Sequence, residues 1–298
     1  MTFLIITHVP HILESNQYFG YAPYVREMNI WTKKVDKLII VAPLDLSKKS
    51  AIDIHYEHAN IEFIPIDSFD ILGIKAAFNA IYKIPKICWT IFNAMKRADH
   101  IHLRCPGNIG LLGCFVQILF PQKIKTAKYA SNWDIKSKQP LSYRLQRALL
   151  NNTFLTRNMQ VLVYGDWENS TKNIKSFFTA TYYEKEKHAV EIRNTNQKPI
   201  RFIFVGTLTK GKNPFYGIEI VNSLNNSGIP ATIDLYGDGI LYEEIQAFLV
   251  EKKLQEFVFL KGNLTKESLI EVYKKAHFLV LQSGSFEGWP KGVAESMF

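Results

Sequence analysis

Two carboxylates near the end of the chain, Glu287 and Glu295 in the stretch SFEGWPKGVAESMF (285–298), flank a proline in a way that suits chemistry on a phosphorylated ligand. Pro290 fits the first turn of a helix, where its missing N–H would have had no intrahelical partner, so a helix is predicted to begin near Trp289. The free N–H groups there form a site for a diphosphate at the positive end of the helix dipole, with Gly288 and Gly292 permitting close backbone approach and Lys291 adding charge. Glu295 lies about 7.5 Å past Pro290 at 1.5 Å per residue, roughly the reach from a diphosphate to its ribose. One carboxylate can accept both vicinal hydroxyls of that sugar. Glu287, just ahead of the helix, faces whatever the diphosphate carries. Taken alone, a glutamate pair around a helix start is commonplace, because carboxylates there also favour the dipole.

A second constellation is FVGTLTKGKNP (204–214), a strand ending in a glycine turn that carries two lysines into the next helix. Gly206 and Thr207 bring backbone close to a ligand, and Lys210 or Lys212 can neutralise phosphate. LYGDG (235–239) and FLKGN (259–263) repeat the pattern of strand end followed by glycine. Each is weak separately, and an ordinary strand-to-helix loop with surface lysines would read alike. Their order, with the glutamate pair last, makes the case.

Such loops need strands to hold them. Runs rich in β-branched residues recur between amphipathic stretches: FLIIT (3–7), KLIIVAP (37–43), IEFIPI (61–66), HIHLR (100–104), KYASN (128–132) and MQVLVYG (159–165). The rhythm restarts after the polar stretch 182–199 with RFIFVG (201–206), ATIDLYG (231–237), FVFLKG (257–262) and HFLVLQ (277–282). Alternation of this kind predicts parallel strands with crossover helices in two doubly wound α/β domains, residues 1–190 and 191–298. Ligands of such sheets bind beyond the carboxyl ends of the strands, here in a cleft between the domains.

From about residue 201 onward the sequence resembles closely, and before that loosely, the retaining glycosyltransferases of family 4, also called group 1. Their pattern of Glu, Gly, aromatic, Pro, four residues, Glu, Ala or Ser, Met is matched by Glu287, Gly288, Trp289, Pro290, Glu295, Ser296 and Met297. The resemblance implies a GT-B fold of two facing Rossmann-like domains. It implies that a nucleotide-sugar donor, with no metal or other cofactor, meets a glycan or lipid-linked acceptor in a cytoplasmic reaction of cell-surface polysaccharide or lipid-linked glycan synthesis. Glu287 would then contact the donor sugar, Glu295 the ribose and Lys212 the diphosphate. The family often has an arginine after the glycine of the first loop; here Thr207 stands there, with Lys210 as a substitute. In the first domain the segment 99–106, DHIHLRCP, ends a strand where the family often has a histidine near the reacting sugar. His102 is the candidate, with His100 and Arg104 as neighbours able to take the role.

Composition bounds the alternatives. The chain has 298 residues and a net charge of +9; residues 1–190 hold 24 basic against 15 acidic side chains, and residues 191–298 hold 12 against 12. Eight basic residues and one acid fall within 101–150, which predicts either a positive surface or a solvated lysine-rich face. Basic residues interleaved with Tyr129, Trp133 and Tyr143 over 123–147 give a less favoured nucleic-acid reading. The same run, with 75–97, also suggests peripheral association with an anionic membrane. A nucleotide-sugar-binding protein without catalysis is the remaining alternative. Three cysteines without a CxxC pair argue against a disulfide scaffold or zinc finger. The pairs His8/His11 and His55/His58 lack neighbours to complete a ligand set, so no metal site is expected. The apolar run 109–120 is too short to cross a bilayer and predicts a core helix. The sequence stops inside the predicted last helix with no Gly, Asn or Pro to close it, and the second domain is expected to continue further.

Overall fold

The computed structural model describes residues 1–50, 52–69, 74–168, 170–178 and 194–282, together with positions 293 and 296. The chain divides into two compact units, Met1–Ala180 and Thr181–Phe298. The expected boundary at 190/191 lies outside the described residues.

Unit 1 contains, in order, β1 (Thr2–Ile6), β2 (His11–Glu14), β3 (Gln17–Tyr21), α1 (Ala22–Trp31), β4 (Lys37–Ala42), β5 (Leu44–Asp45), β6 (Asp53–His55), β7 (Ile61–Pro65), α2 (Ile74–Arg97), β8 (His100–Cys105), α3 (Asn108–Val116), β9 (Ile124–Tyr129), α4 (Leu141–Leu150), β10 (Met159–Val163) and β11 (Ile174–Ser176). Seven strands form one parallel sheet in the order β11-β10-β9-β8-β1-β4-β7. Helices cover both faces, so β1 and β4 are apolar without alternation and almost wholly buried, as central parallel strands must be. On one face α2 and α3 bury Ile87, Ile91, Met95, Ile109 and Leu112 against Leu4, Val41 and Leu103. On the other, α1 buries Tyr24, Val25 and Met28 against Phe3, Ile5 and Ile40. The order reverses between β1 and β8, and a ligand site is expected at the carboxyl ends of those two strands.

Three features depart from the sequence reading. The stretch after β1, where no strand was read from the sequence, is a hairpin: β2 and β3 pair antiparallel through Ser15 and Asn16, both at positive φ, within a small sheet β5-β2-β3-β6. Two successive left-handed residues give the twist that a tight hairpin needs. Strand β9 runs from 124 to 129 rather than 128 to 132, and β11 was not foreseen. The run 109–120 is a core helix as expected, α3 followed by a 3-10 turn at Gln117–Leu119. Among the described residues no helix is long and apolar enough to cross a membrane.

Unit 2 contains β12 (Ile200–Val205), α5 (Pro214–Asn226), β13 (Ala231–Tyr236), α6 (Tyr242–Lys252), β14 (Val258–Gly262), α7 (Lys266–Lys275) and β15 (Phe278–Leu279). Its four strands are parallel in the order β14-β13-β12-β15. Here too the order reverses, between β12 and β15. Two of these helices start at residues suited to it: Pro214 occupies the first turn of α5, and Thr265 caps α7 by accepting from the Ser268 N–H at 3.3 Å.

Candidate functional site

In unit 2 the glycine turns after β12, β13 and β14 lie side by side. Gly206 N–H donates to Tyr236 O at 2.9 Å, Gly237 N–H to Gly262 O at 2.9 Å, and Leu208 N–H to Asp238 O at 3.0 Å. Gly237 has φ +139°, and a Cβ on it would lie 2.0 Å from the Gly206 carbonyl oxygen. Only glycine lets the first two turns approach this closely. The turn 209–213 closes with the Lys212 and Asn213 N–H groups on Thr209 O, both at 3.1 Å. Asn213, left-handed at φ 46°, then swings the chain into α5. Lys212 therefore sits directly before a helix N-terminus, and burial lowers its pKa from the ordinary lysine value. Thr207 and Lys210 are exposed on the same turn. Strand β15 pairs with β12 at Phe202 and Ile203, and Val280 N–H donates to Ile203 O at 2.8 Å. Glu287, Gly288, Trp289, Pro290, Lys291, Gly292 and Glu295 lie outside the described residues.

In unit 1 the carboxyl edge is built from side chains instead. Alternate residues of β8 and β9 put His100, His102, Arg104, Thr126 and Lys128 on the α1 face. His102 is 0% exposed, with its ring 4.9 Å from Trp31 and 5.9 Å from Phe3. Thr126 Oγ1 lies 2.9 Å from His100 Nε2 and 2.8 Å from His102 Nδ1. One hydroxyl can donate to only one of the two rings, so at least one ring offers it an N–H. Burial, ahead of the Arg104 charge, holds His102 well below the ordinary histidine range. His102, expected near a reacting sugar, lies in mid-strand beside the rings of Trp31 and Phe3.

The groups at the strand ends are His8, Arg104 and their neighbours. Lys128 Nζ lies 2.7 Å from both oxygens of Glu27 on α1, roofed by the rings of Tyr164 and Phe177 at 5.3 and 4.8 Å. Arg104 stands over the ring of Tyr24 at 5.5 Å. Its Nη1 is 3.6 Å from Glu27 Oε2, beyond hydrogen-bond distance. His8, exposed just past β1, packs against the turn at Gly107, where a Cβ would meet its Nδ1 at 2.5 Å. Desolvation of its ring and, second, the Arg104 charge lower its pKa. Sequence reasoning passed over His8 because it weighed that residue only as half of a metal pair with His11. His11 is buried, donating from Nδ1 to Val9 O at 2.8 Å and accepting from the Tyr56 hydroxyl at 2.9 Å. Among the described residues no three His, Cys, Asp or Glu side chains converge on a metal position.

The basic segment 101–150 divides between core and surface. Lys125, Lys128 and Arg147 are buried. Lys125 Nζ donates to Gln117 Oε1 at 2.8 Å and Phe120 O at 3.0 Å, and Arg147 Nη1 to Asp134 O at 2.6 Å. Tyr129 and Trp133 are core residues. Lys125 and Arg147 close carbonyl-rich helix and loop ends, whereas Lys136, Lys138 and Arg144 remain exposed.

Residues 185–298 match the family model for glycosyl transferases group 1. The structure is similar to that of Anabaena HepE in complex with UDP and glucose, at 12% identity and a TM-score of 0.62, covering 100% of this chain and 78% of that one. It is similar to WaaG, a glycosyltransferase involved in lipopolysaccharide biosynthesis, at 10% identity, a TM-score of 0.60 and the same coverage. A mutant TarM of S. aureus, in complex with fondaparinux, α-GlcNAc-glycerol and UDP, aligns at 16% identity and a TM-score of 0.53, covering 72% of this chain. This chain spans 43% of that TarM structure's length. A sequence search of curated proteins finds no match. The fold is therefore GT-B, with two Rossmann-like units, and the group 1 match falls on the unit whose glycine turns meet at one sheet edge.

Proposed function

We propose that the protein is a retaining, metal-independent glycosyltransferase that moves a hexose from a nucleotide-sugar to a hydroxyl acceptor in cell-surface polysaccharide or lipid-linked glycan synthesis. The observation that carries this reading is the meeting of the Gly206, Gly237 and Gly262 turns beside Lys212 at the carboxyl edge of unit 2, within the group 1 segment. The UDP bound by HepE supports a nucleotide-sugar as donor. Glu295 holds the ribose, Glu287 the sugar, and Lys212 with Lys210 and the helix N-termini the diphosphate. Charge grows on the leaving nucleoside diphosphate as the glycosidic bond breaks, so amide N–H groups and a lysine fixed beforehand favour the transition state over the ground state. His8 and Arg104 replace His102 as the groups that meet the acceptor in unit 1.

Binding of UDP-, GDP- and ADP-sugars followed by transfer and donor-hydrolysis rates tests the reading. Glu295→Ala is expected to weaken nucleotide binding, and Glu287→Ala to lower kcat more than donor affinity. Binding without turnover in the unaltered chain would leave the non-catalytic nucleotide-sugar-binding alternative.

We further propose work at the cytoplasmic face of an anionic membrane. Support comes from α2, which contains five basic residues and no acid and turns Tyr82 and Trp89 outward at 82% and 65% exposure. A groove of about 400 Å³ beside Trp89 is bordered by Lys96 and Arg97. Exposed aromatics with flanking cations suit the interface between headgroups and acyl chains. Co-sedimentation with anionic but not neutral vesicles, lost in Trp89→Ala, is the expected result.

A further inference from the structure

The proposed transfer leaves open what kind of molecule carries the acceptor hydroxyl, and the charge distribution in unit 1 bears on it. Three charged groups meet beneath the carboxyl ends of β8 and β9, two cations and one carboxylate. Lys128, 1% exposed, takes both Glu27 oxygens at 2.7 Å. Arg104 is left 3.6 Å from that carboxylate, its buried Nη1 without a hydrogen bond and its side chain 13% exposed. Among the described residues the cluster thus holds two cations against one carboxylate, and Arg104 is the member that reaches the strand end. An excess cation in a dry setting is costly unless an anion joins it. The excess also depresses its neighbours: Lys128 is lowered to about 8 by burial, with Arg104 adding to the effect, and His8 is lowered as well. The position is the β1–β8 reversal, next to His8 and to the start of the nine-residue helix α3. That is where a doubly wound sheet receives its ligand, and the helix dipole adds positive potential there.

We propose that Arg104 binds an anionic group of the acceptor, a phosphate or a carboxylate, so that the sugar is passed to an acidic molecule rather than to a neutral one. This rests on the glycosyltransferase reading for the word acceptor, but the anion site itself does not. Lys128 and Glu27 are positioning residues: the ammonium occupies the carboxylate, and the guanidinium stays available. His8, whose pKa desolvation and then the Arg104 charge lower, stands next to this site and can accept a hydrogen bond from the acceptor hydroxyl in its neutral form.

The test is calorimetric titration of the full chain with inorganic phosphate in saturating UDP, which occupies any diphosphate site of unit 2. Arg104→Gln is expected to weaken phosphate binding at least tenfold, the loss of a charge-assisted hydrogen bond. Arg104→Lys retains most of the affinity, and Lys33→Gln, a change on the exposed surface, retains all of it. Glu27→Gln, which raises the excess charge by one, tightens binding severalfold, an outcome that unfolding cannot imitate. Titration with acetate in a parallel arm separates carboxylate from phosphate. In transfer assays Arg104→Gln raises KM for a phosphate- or carboxylate-bearing alcohol at least tenfold more than it raises KM for a neutral alcohol. Equal weakening by Arg104→Gln and Lys33→Gln, or no tightening by Glu27→Gln, overturns the proposal. Arg104-dependent phosphate binding in a chain that binds no nucleotide-sugar would sustain the anion site and remove the donor reading instead.

Discussion

The two sheets end in opposite ways at their carboxyl edges. Unit 2 offers backbone: three glycine turns laced by amide hydrogen bonds, with Lys212 at the mouth of a helix. Unit 1 offers side chains: Arg104, Lys128 and Glu27 drawn together from two strands and a helix, with His8 beside them. A backbone edge accepts any phosphate of the right shape, because N–H dipoles are fixed and carry no net charge. A side-chain edge selects by charge, and it loads the fold with buried ions. The contrast teaches where each unit is vulnerable: unit 1 to the loss of one charge or to acid, unit 2 to the gain of one methyl group.

The largest effect follows from deleting the shared carboxylate. Glu27→Ala leaves Lys128 and Arg104 facing each other in a buried setting, and removing one partner of a buried ion pair typically costs about 3–5 kcal/mol. Urea unfolding followed by tryptophan fluorescence reports mainly unit 1, since Trp31, Trp89, Trp133 and Trp167 lie there and only Trp289 does not. A change below about 1 kcal/mol would mean that the cluster is not sealed as described.

Acid is the next discriminator. His11 has an ordinary pKa of 6.5, which burial lowers to about 4 in the folded chain. Between those values the unfolded chain binds a proton that the folded chain refuses. Stability is therefore complete above about pH 6.5, falls as the pH drops toward 4, and loses about 3 kcal/mol over that window from this group. His102, lowered in the same direction, deepens the loss. Unit 1 is expected to melt first on acidification, and His11→Gln to flatten its profile. The described histidine of unit 2, His277, is half-buried at the sheet's end, where Nδ1 accepts the Arg201 N–H at 2.9 Å. Equal acid sensitivity in both units would contradict the contrast.

A smaller loss is expected from Gly237→Ala in unit 2. The new Cβ would meet the Gly206 carbonyl oxygen at 2.0 Å, at a φ of +139° that other residues rarely adopt. Backbone strain of this kind costs about 1–3 kcal/mol, and the turns must part to relieve it. Nucleotide binding should fall before overall stability does, with the tryptophan signal of unit 1 unmoved. Intact nucleotide affinity in this variant would show that the close approach of the two turns is dispensable for the site.

This contrast also explains what could be read in advance. Glycine turns declare themselves locally: GTLTKGK, GDG and KGN each follow an apolar strand, and the structure sets all three on one edge. The unit 1 cluster joins positions 27, 104 and 128, and nothing in one dimension links a glutamate in APYVREMNIW to a lysine in IKTAKY. Strand β9 was misplaced for the same reason. Its alternate residues are Lys125, Ala127 and Tyr129 on one face and Thr126 and Lys128 on the other, so a search for apolar runs slides past it to the next stretch. The hairpin β2–β3 was missed because Ser-Asn in left-handed conformations is a weaker turn signal than Asn-Gly. The alternation HxHxR in β8 suggested a histidine at the strand end. The register shows that the alternation runs along the inner face, with only Arg104 reaching the edge.

The smallest effect tests the backbone edge by giving it a side chain. Thr207 is exposed directly after Gly206, and its neighbour Leu208 is buried and anchored by its N–H to Asp238 O at 3.0 Å. The turn is thus held independently of residue 207, and a longer side chain there can extend outward without disturbing the fold. Thr207→Arg places a guanidinium at the mouth of the proposed diphosphate site, where a partly solvated charge-assisted hydrogen bond contributes about 0.5–1.5 kcal/mol. Nucleoside diphosphate affinity should rise roughly two- to tenfold, with unfolding stability unchanged within about 0.5 kcal/mol. The gain should shrink as salt is raised, because the added charge remains within reach of solvent ions. If Lys210 already supplies this contact, Thr207→Arg will bring little on its own and restore most of what Lys210→Gln loses. Calorimetry on the two single variants and the double variant separates these outcomes. A gain equal for nucleoside and nucleoside diphosphate would place residue 207 away from the phosphates and count against a diphosphate at the Gly206 turn.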